Sequence, residues 1–411
     1  MGDAEHGRQE LLSLLDRAEA APPVDAIEVV EDELVARVGA RAVSFLIADH
    51  RGRSVVRVDR TSWAEPGGWP GGVDLVQAVD LPGTVYERVL RTQQPETDEV
   101  DGGVRVAVPV TVRGDALGVM ELELPGPPDA DALVAIATAA RALGYIVVTN
   151  RRCTDLFDRG QRTVPFTLPA EIQRRLLPNA LSYSSRAVTV AGWLEPASSV
   201  GGDTFDYSVE RHTLHVSITD AVGHDLGAAL LATVLVSALR NGRRRGMPLA
   251  EQVRTANDAL AGNSPSGTFV TGIVLRVDVR TGRAAVVNAG HPPPLLVRDG
   301  EVRELPLDPD VPFGLLPGRE FTVHELALRP GDRLVLITDG LLERNTSELD
   351  LPGLLARDAQ VHAREFVRGL GDAVLGTTDG DLRDDATVLC VDWTGEDGEV
   401  PHHDTAAAGP R

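Results

Sequence analysis

Four aspartates sit in settings that could carry chemistry. They are Asp203 in Val200-Gly-Gly-Asp203, Asp220 in Thr219-Asp-Ala-Val-Gly-His224, Asp339 in Thr338-Asp-Gly340 and Asp385 in Asp384-Asp-Ala-Thr387. Two of them end apolar runs that read as buried strands: Leu214/Val216/Ile218 before Asp220, and Leu334-Val-Leu-Ile337 before Asp339. A carboxylate at the end of a core strand is costly to bury unless it is paired or bound to a cation. Converging carboxylates repel one another, and hard divalent cations that prefer oxygen relieve that repulsion. The pattern points to a two-metal hydrolytic site with a phosphate ester as substrate. The plainer reading makes each aspartate a turn or cap residue, since Asp-Gly is common in turns.

Around these acids the second half of the chain, from Thr163, reads as strands at 188–194, 214–219, 270–279, 283–288, 295–297, 302–305, 321–328, 333–337 and 387–392. Helices are expected at 170–178, 226–241, 247–261, 351–357 and 361–375. Thr281-Gly282 and Asp299-Gly300 are hairpin signals. Many antiparallel strands with helices in pairs suggest two stacked sheets flanked by helices.

The ordered segments Glu171-Ile-Gln-Arg-Arg-Leu-Leu-Pro178, Val200-Gly-Gly-Asp-Thr-Phe-Asp206, Thr219-Asp-Ala-Val-Gly-His224, Phe269-Val-Thr271, Asn288-Ala-Gly-His-Pro-Pro293, Gly331-Asp-Arg-Leu334, Thr338-Asp-Gly340 and Asp384-Asp-Ala-Thr387 resemble a SpoIIE-type serine/threonine phosphatase. That type belongs to the metal-dependent PPM class, related to protein phosphatase 2C. The resemblance covers Thr163–Trp393 and implies an αββα sandwich holding two Mn²⁺ or Mg²⁺ ions between its sheets. It implies that Asp220 bridges the ions, that Asp339 and Asp385 complete one site, and that Asp203 and the carbonyl of Ala221 complete the other. It further implies hydrolysis of phosphoserine or phosphothreonine by in-line attack of water, without a phospho-enzyme. His224 is a candidate for delivering the leaving-group proton, with a structural role at the helix start as the rival.

Neighbouring residues carry weaker readings. Asp206 and Asp384 read as orienting groups beside ligands, and His291 as a buttress at a strand end. Gly201 and Gly202 allow close backbone approach. Arg240, Arg243, Arg244 and Arg245 suit a helix C-terminus, with a docking patch as the alternative. Residues 171–177 form either a packing helix or a regulatory helix touching the site. Asp225 adds a negative charge at the site entrance or caps the helix behind it.

The first half reads as helix 26–38, strands 42–47 and 54–58, a Gly/Pro-rich loop at 61–82 with Trp63 and Trp69, a helix at 84–90, strands 104–110 and 117–124, and a helix from 128 to 150. This order, with Val106-Ala-Val-Pro-Val-Thr-Val-Arg-Gly-Asp-Ala-Leu-Gly-Val-Met120, resembles a GAF domain, a small α/β sensor; an unidentified small molecule or signal would act there. The expected class is thus α+β: an N-terminal extension (1–23), a GAF-like domain (24–150), a helical linker (151–162), the phosphatase-like domain (163–393) and a disordered tail (394–411). The linker either prolongs the preceding helix, as the seam of a homodimer, or is a solvated spacer of a monomer.

A formal net charge of −21 argues against nucleic-acid binding. No run of 18 apolar residues is apparent, so no membrane span and a cytoplasmic location are expected. Cys153 and Cys390, the only cysteines, are not expected to pair. Relatives of this architecture often act on phosphorylated anti-anti-sigma factors of the STAS type, so such a partner is implied. Rival readings are a non-catalytic scaffold for a phosphoprotein and a hydrolase of small phosphate esters.

Overall fold

The structure is a computed structural model. It describes residues 2–58, 78–162, 166–197, 201–341, 349–377, 382 and 384–395. Trp63, Trp69, Thr163, Val200 and the tail from 396 lie outside the described residues. The chain divides into two compact units, one ending at Pro165 and the next starting at Phe166.

The first unit is built on a six-stranded antiparallel sheet of order β3-β2-β1-β6-β5-β4. Its strands are β1 (Ala42–Ala48), β2 (Ser54–Val58), β3 (Ala78–Asp80), β4 (Glu96–Val100), β5 (Gly103–Val112) and β6 (Asp115–Leu124). One face carries α1 (Gly2–Ala20), α2 (Ala26–Val38), α4 (Ala130–Asn150) and α5 (Leu156–Gly160) on a core that includes Ile27, Leu34, Phe45, Leu122, Ile136 and Leu143. The other face carries α3 (Val85–Thr92), packed on Leu46, Val55 and Val119. Thr84 and Asp129 cap α3 and α4 through bonds from Glu87 N and Ala132 N.

Two expectations need correction here. Residues 151–162 are not a continuation of the long helix. The chain turns at 151–153 and α5 folds back onto β1, with Phe157 fully buried and Gly160 so close to Ile47 that a Cβ would lie 2.6 Å from its side chain. Burying one such phenylalanine is worth about 2–3 kcal/mol, which a free linker would forgo. The run at 130–150 is also long and apolar enough to cross a bilayer, but half of it is buried inside the unit. Ala135, Ile136, Ala139, Ala140, Leu143 and Val147 line that inward stripe, as in the core helix of a globular unit.

The second unit has four layers. A five-stranded sheet, order β15-β12-β11-β10-β9, faces a six-stranded sheet, order β14-β13-β16-β17-β8-β7. The first contains β9 (Thr204–Val209), β10 (Thr213–Ala221), β11 (Val270–Asp278), β12 (Arg283–Ala289) and β15 (His324–Ala327). The second contains β7 (Ser182–Ser184), β8 (Val188–Glu195), β13 (Leu295–Arg298), β14 (Glu301–Glu304), β16 (Asp332–Ile337) and β17 (Ala386–Trp393). Phe205, Val216, Ile218, Leu275, Leu334, Leu336 and Leu389 fill the space between the sheets. Helices α7 (Asp225–Arg244) and α8 (Leu249–Asn263) cover the five-stranded sheet; α9 (Leu351–Arg357) and α10 (Ala363–Thr377) cover the other. Helix α6 (Leu168–Leu176), capped by Thr167, packs against α7. The hairpin turn at Gly282 has φ +69°, and a side chain there would meet the Trp393 ring at 2.7 Å, so the position requires glycine. Cys153 is exposed in the first unit, Cys390 is buried in β17, and both are free thiols.

Candidate metal centre

Antiparallel pairing carries the acids to one end of the sandwich. Asp203 immediately precedes β9, Asp220 lies near the end of β10, and the register Thr204↔Thr219 sets these strand ends side by side. Asp339 follows β16, Asp384 and Asp385 precede β17, and the register Ile337↔Val388 does the same in the opposite sheet. Threonines join the two sheets here: Thr338 Oγ1 and Thr387 Oγ1 each donate to Asp203 Oδ2 at 2.7 Å. Thr204 and Thr219 share a hydroxyl–hydroxyl bond of 2.6 Å beside them.

Burial and like charge act together on the cluster. Burial first, then Asp220 and Asp385, push the Asp203 carboxyl far above the usual range. Burial, then Asp339, Asp384 and Asp385, push Asp220 up to about 7. A set of hard oxygen donors that repel one another out of water is the donor chemistry that suits Mg²⁺ or Mn²⁺. Among the described residues no three His, Cys, Asp or Glu side chains already form a metal cage; the acids approach from two sheets, and some of their oxygens are engaged by protein donors.

Asp385 is the clearest such case. Its Oδ1 accepts from Ala197 N at 2.9 Å and Gly201 N at 3.1 Å, and its Oδ2 accepts from Gly201 N at 3.1 Å and Gln173 Nε2 at 2.6 Å. Both Asp385 oxygens are thus engaged by protein donors and only 2% of its surface is exposed, while its charge still acts on Asp203 and Asp220. Its neighbour Asp384 is half-buried and acts more strongly on Asp220 than Asp385 does. Gly340, in Thr338-Asp-Gly340, has its would-be Cβ 3.2 Å from Asp384 Cβ, so the Asp339 turn passes directly over Asp384.

The glycines of the motifs have steric reasons. A Cβ on Gly201 would lie 2.8 Å from the Asp385 carboxyl, one on Gly202 would lie 2.7 Å from the Ala221 carbonyl oxygen, and one on Gly340 would lie 2.0 Å from Asp385 O. A side chain at residue 202 would therefore cover the Ala221 carbonyl.

Other expected residues fall elsewhere. His224 is not drawn into the buried cluster: its side chain is 71% exposed and its Nδ1 meets Asp225 Oδ2 at 2.8 Å. His291 is buried, its Nδ1 lies 2.9 Å from Thr271 Oγ1, and its pKa is lowered to about 4 by burial, so it stands as a neutral buttress. Asp206 points away from the cluster and pairs with Arg240 and Arg243, each at 2.8 Å. That pairing removes these two arginines from the docking-patch reading and gives Asp206 the task of tying β9 to α7. Sequence reasoning missed Thr338 and Thr387 as cross-sheet donors and Gln173 as the partner of Asp385. The one available signal was a glutamine on the inward stripe Ala170, Gln173, Leu176 of an amphipathic helix.

Residues 210–394 match the family model described as Stage II sporulation protein E (SpoIIE). The phosphoserine phosphatase RsbP of Bacillus subtilis is 26% identical over 184 residues, which is 43% of this chain and 46% of RsbP. Phosphoserine phosphatase RsbU of the same organism is 22% identical over 231 residues, covering 54% of this chain and 68% of RsbU. The chain thus spans less than half of RsbP. Among solved structures, the RsbU and RsbW domains of Rv1364c from Mycobacterium tuberculosis align with TM-score 0.46 and 27% identity, over 52% of this chain and 62% of that one. The SiaA-PP2C domain of Pseudomonas aeruginosa aligns with TM-score 0.47 and 21% identity, over 54% of this chain and 93% of that one.

Proposed function

We propose, from the premise that residues 210–394 form a SpoIIE-family domain, that the second unit is a metal-dependent serine/threonine protein phosphatase. The observation that carries this reading is the meeting of Asp220, Asp339 and Asp384 from two sheets, with Asp220 raised to about 7 by burial and by its neighbours. Asp220 and Asp339, with Asp384 in the place expected of Asp385, and the Ala221 carbonyl would hold two Mn²⁺ or Mg²⁺ ions. Asp203, whose Oδ2 accepts from Thr338 and Thr387, would join the Ala221 carbonyl at the second ion. When bound, such ions supply Lewis acidity and positive charge for a phosphoryl group. The chain's own contribution is to hold the acids close, to leave room at the Ala221 carbonyl through Gly202, and to fix the strand ends through hydroxyl and amide donors. In this reading His224, exposed and outside the buried acids, would be the group that exchanges a proton with a departing alkoxide.

The physiological substrate in this reading is a phosphorylated STAS-type anti-anti-sigma factor, and the first unit acts as a GAF-like sensor governing the second in the cytoplasm. Support comes from the SpoIIE-type motifs and from two relatives named as phosphoserine phosphatases. The test is Mn²⁺-dependent release of phosphate from a phosphorylated STAS-domain protein and from a phosphoserine peptide, by wild type and by Asp339→Asn. Loss of release in the variant with an unchanged fold is expected. Full activity of Asp339→Asn would sink the site assignment.

A further inference from the structure

The acids repel one another both within a sheet, as Asp203 and Asp220 do, and across the two sheets, as Asp220 does with Asp339, Asp384 and Asp385. Asp203 and Asp220 belong to the β9–β10 pair, and Asp339, Asp384 and Asp385 to the β16–β17 pair. Neutral donors cross between the two sheets beside them. Thr338 and Thr387 cross at Asp203 Oδ2. Gln173 crosses from a third element, α6. Its Nε2 donates to the backbone carbonyl of Asp203 at 2.9 Å and to Asp385 Oδ2 at 2.6 Å.

Gln173 is only 2% exposed, so neither bond is shared with bulk water. A carboxamide suits this place because its two N–H groups can serve two acceptors without bringing charge. Asp385 in turn receives Ala197 N and Gly201 N, so the same carboxylate anchors the backbone leading into Gly202 and Asp203. One side chain on α6 thus meets both strand ends that deliver the acids.

We propose that Gln173 is a positioning residue of the metal centre, fixing the start of β9 against the start of β17 and with it the spacing of Asp220, Asp339 and Asp384. The proposal rests on the phosphatase reading of this site. It differs from a packing role in one respect. Loss of packing lowers stability and leaves cation affinity alone, whereas loss of positioning weakens cation binding in a protein that is still folded.

The test uses the full chain and Mn²⁺ alone as ligand. Gln173→Leu and Gln173→Met keep the volume and remove the donor. Calorimetric titration with Mn²⁺ should show a Kd raised about 10–100-fold, the range for partners that orient metal ligands. Phosphate release should need correspondingly more Mn²⁺ and recover most of its kcat at saturation. Mn²⁺ isotherms of the folded variants that superimpose on wild type overturn the proposal, as does a fall in melting temperature in EDTA with Kd unchanged. Failure of both variants to fold also decides against it, in favour of a structural role. If wild type itself takes up no Mn²⁺, the phosphatase reading falls first; if wild type binds and hydrolyses while the variants match it, only the role of Gln173 falls.

Discussion

Replacing Asp220 by Asn should make the metal-free protein more stable at alkaline pH while abolishing its response to Mn²⁺. The carboxyl moves from 3.8 in an exposed chain to about 7 in the fold, with burial as the leading cause and Asp339, Asp384 and Asp385 next. Because the folded value is raised, the unfolded chain binds fewer protons between these limits, and stability falls as pH rises through them. The penalty is complete above about 7 and amounts to about 4 kcal/mol at pH 8. The Asn side chain leaves a buried amide, which offsets about 1–3 kcal/mol of the relief, so a net gain of about 1–3 kcal/mol is expected at pH 8 in EDTA. At pH 5 the wild-type group is already largely protonated, and the advantage of Asn should shrink by about 2–3 kcal/mol. Urea denaturation in EDTA at the two pH values measures the difference without depending on the amide's own cost. Mn²⁺ at 100 times its Kd should stabilise wild type by about 2.7 kcal/mol and the variant by much less. A wild-type–variant difference that is the same at pH 5 and pH 8, or equal stabilisation of both by Mn²⁺, would refute the reasoning.

Two further outcomes follow from contacts away from the acids. Asp206→Ala removes the carboxylate shared by Arg240 and Arg243 of α7 and should lower unfolding stability by about 3–5 kcal/mol, read from urea midpoints; a change below about 1 kcal/mol would mean the pair is solvated. His215 is lowered to about 4, by burial first and then by Arg276, so it is neutral in the fold and charged in the unfolded chain between that value and 6.5. The stability it permits is complete above 6.5 and is lost as pH falls toward 4, and His215→Gln should reduce that slope in denaturant titrations across pH 7.5 to 4.5.

The parts legible in the sequence were those with a period or a turn signal. The apolar runs of β10 and β16 lead directly to Asp220 and Asp339, and the Asp299-Gly300 hairpin joins β13 to β14 as its dipeptide suggests. Less legible was the choice between Asp384 and Asp385. They are adjacent, and β17 is buried along nearly its whole length, so alternation gives no clue to which one turns inward. Only contacts from Ala197, Gly201 and Gln173, distant in the chain, decide it. Strands β3, β4 and β7 were passed over because they are short edge strands, and the acidic Glu96-Thr-Asp-Glu-Val100 lacks an apolar face. The 151–162 segment was read as a spacer because charge dominates it; two apolar residues, Leu156 and Phe157, sufficed to dock it.

The two cysteines also make the chain its own unfolding gauge. Each unit contains one thiol, and they differ in kind: Cys153 is open to reagent, whereas Cys390 lies at 0% exposure in the middle of β17, its thiol pushed up by burial and then by Asp392. An alkylating pulse should therefore tag the first at once and the second only when the sandwich opens. Counting tags by mass would clock the opening of the second unit without any engineered label.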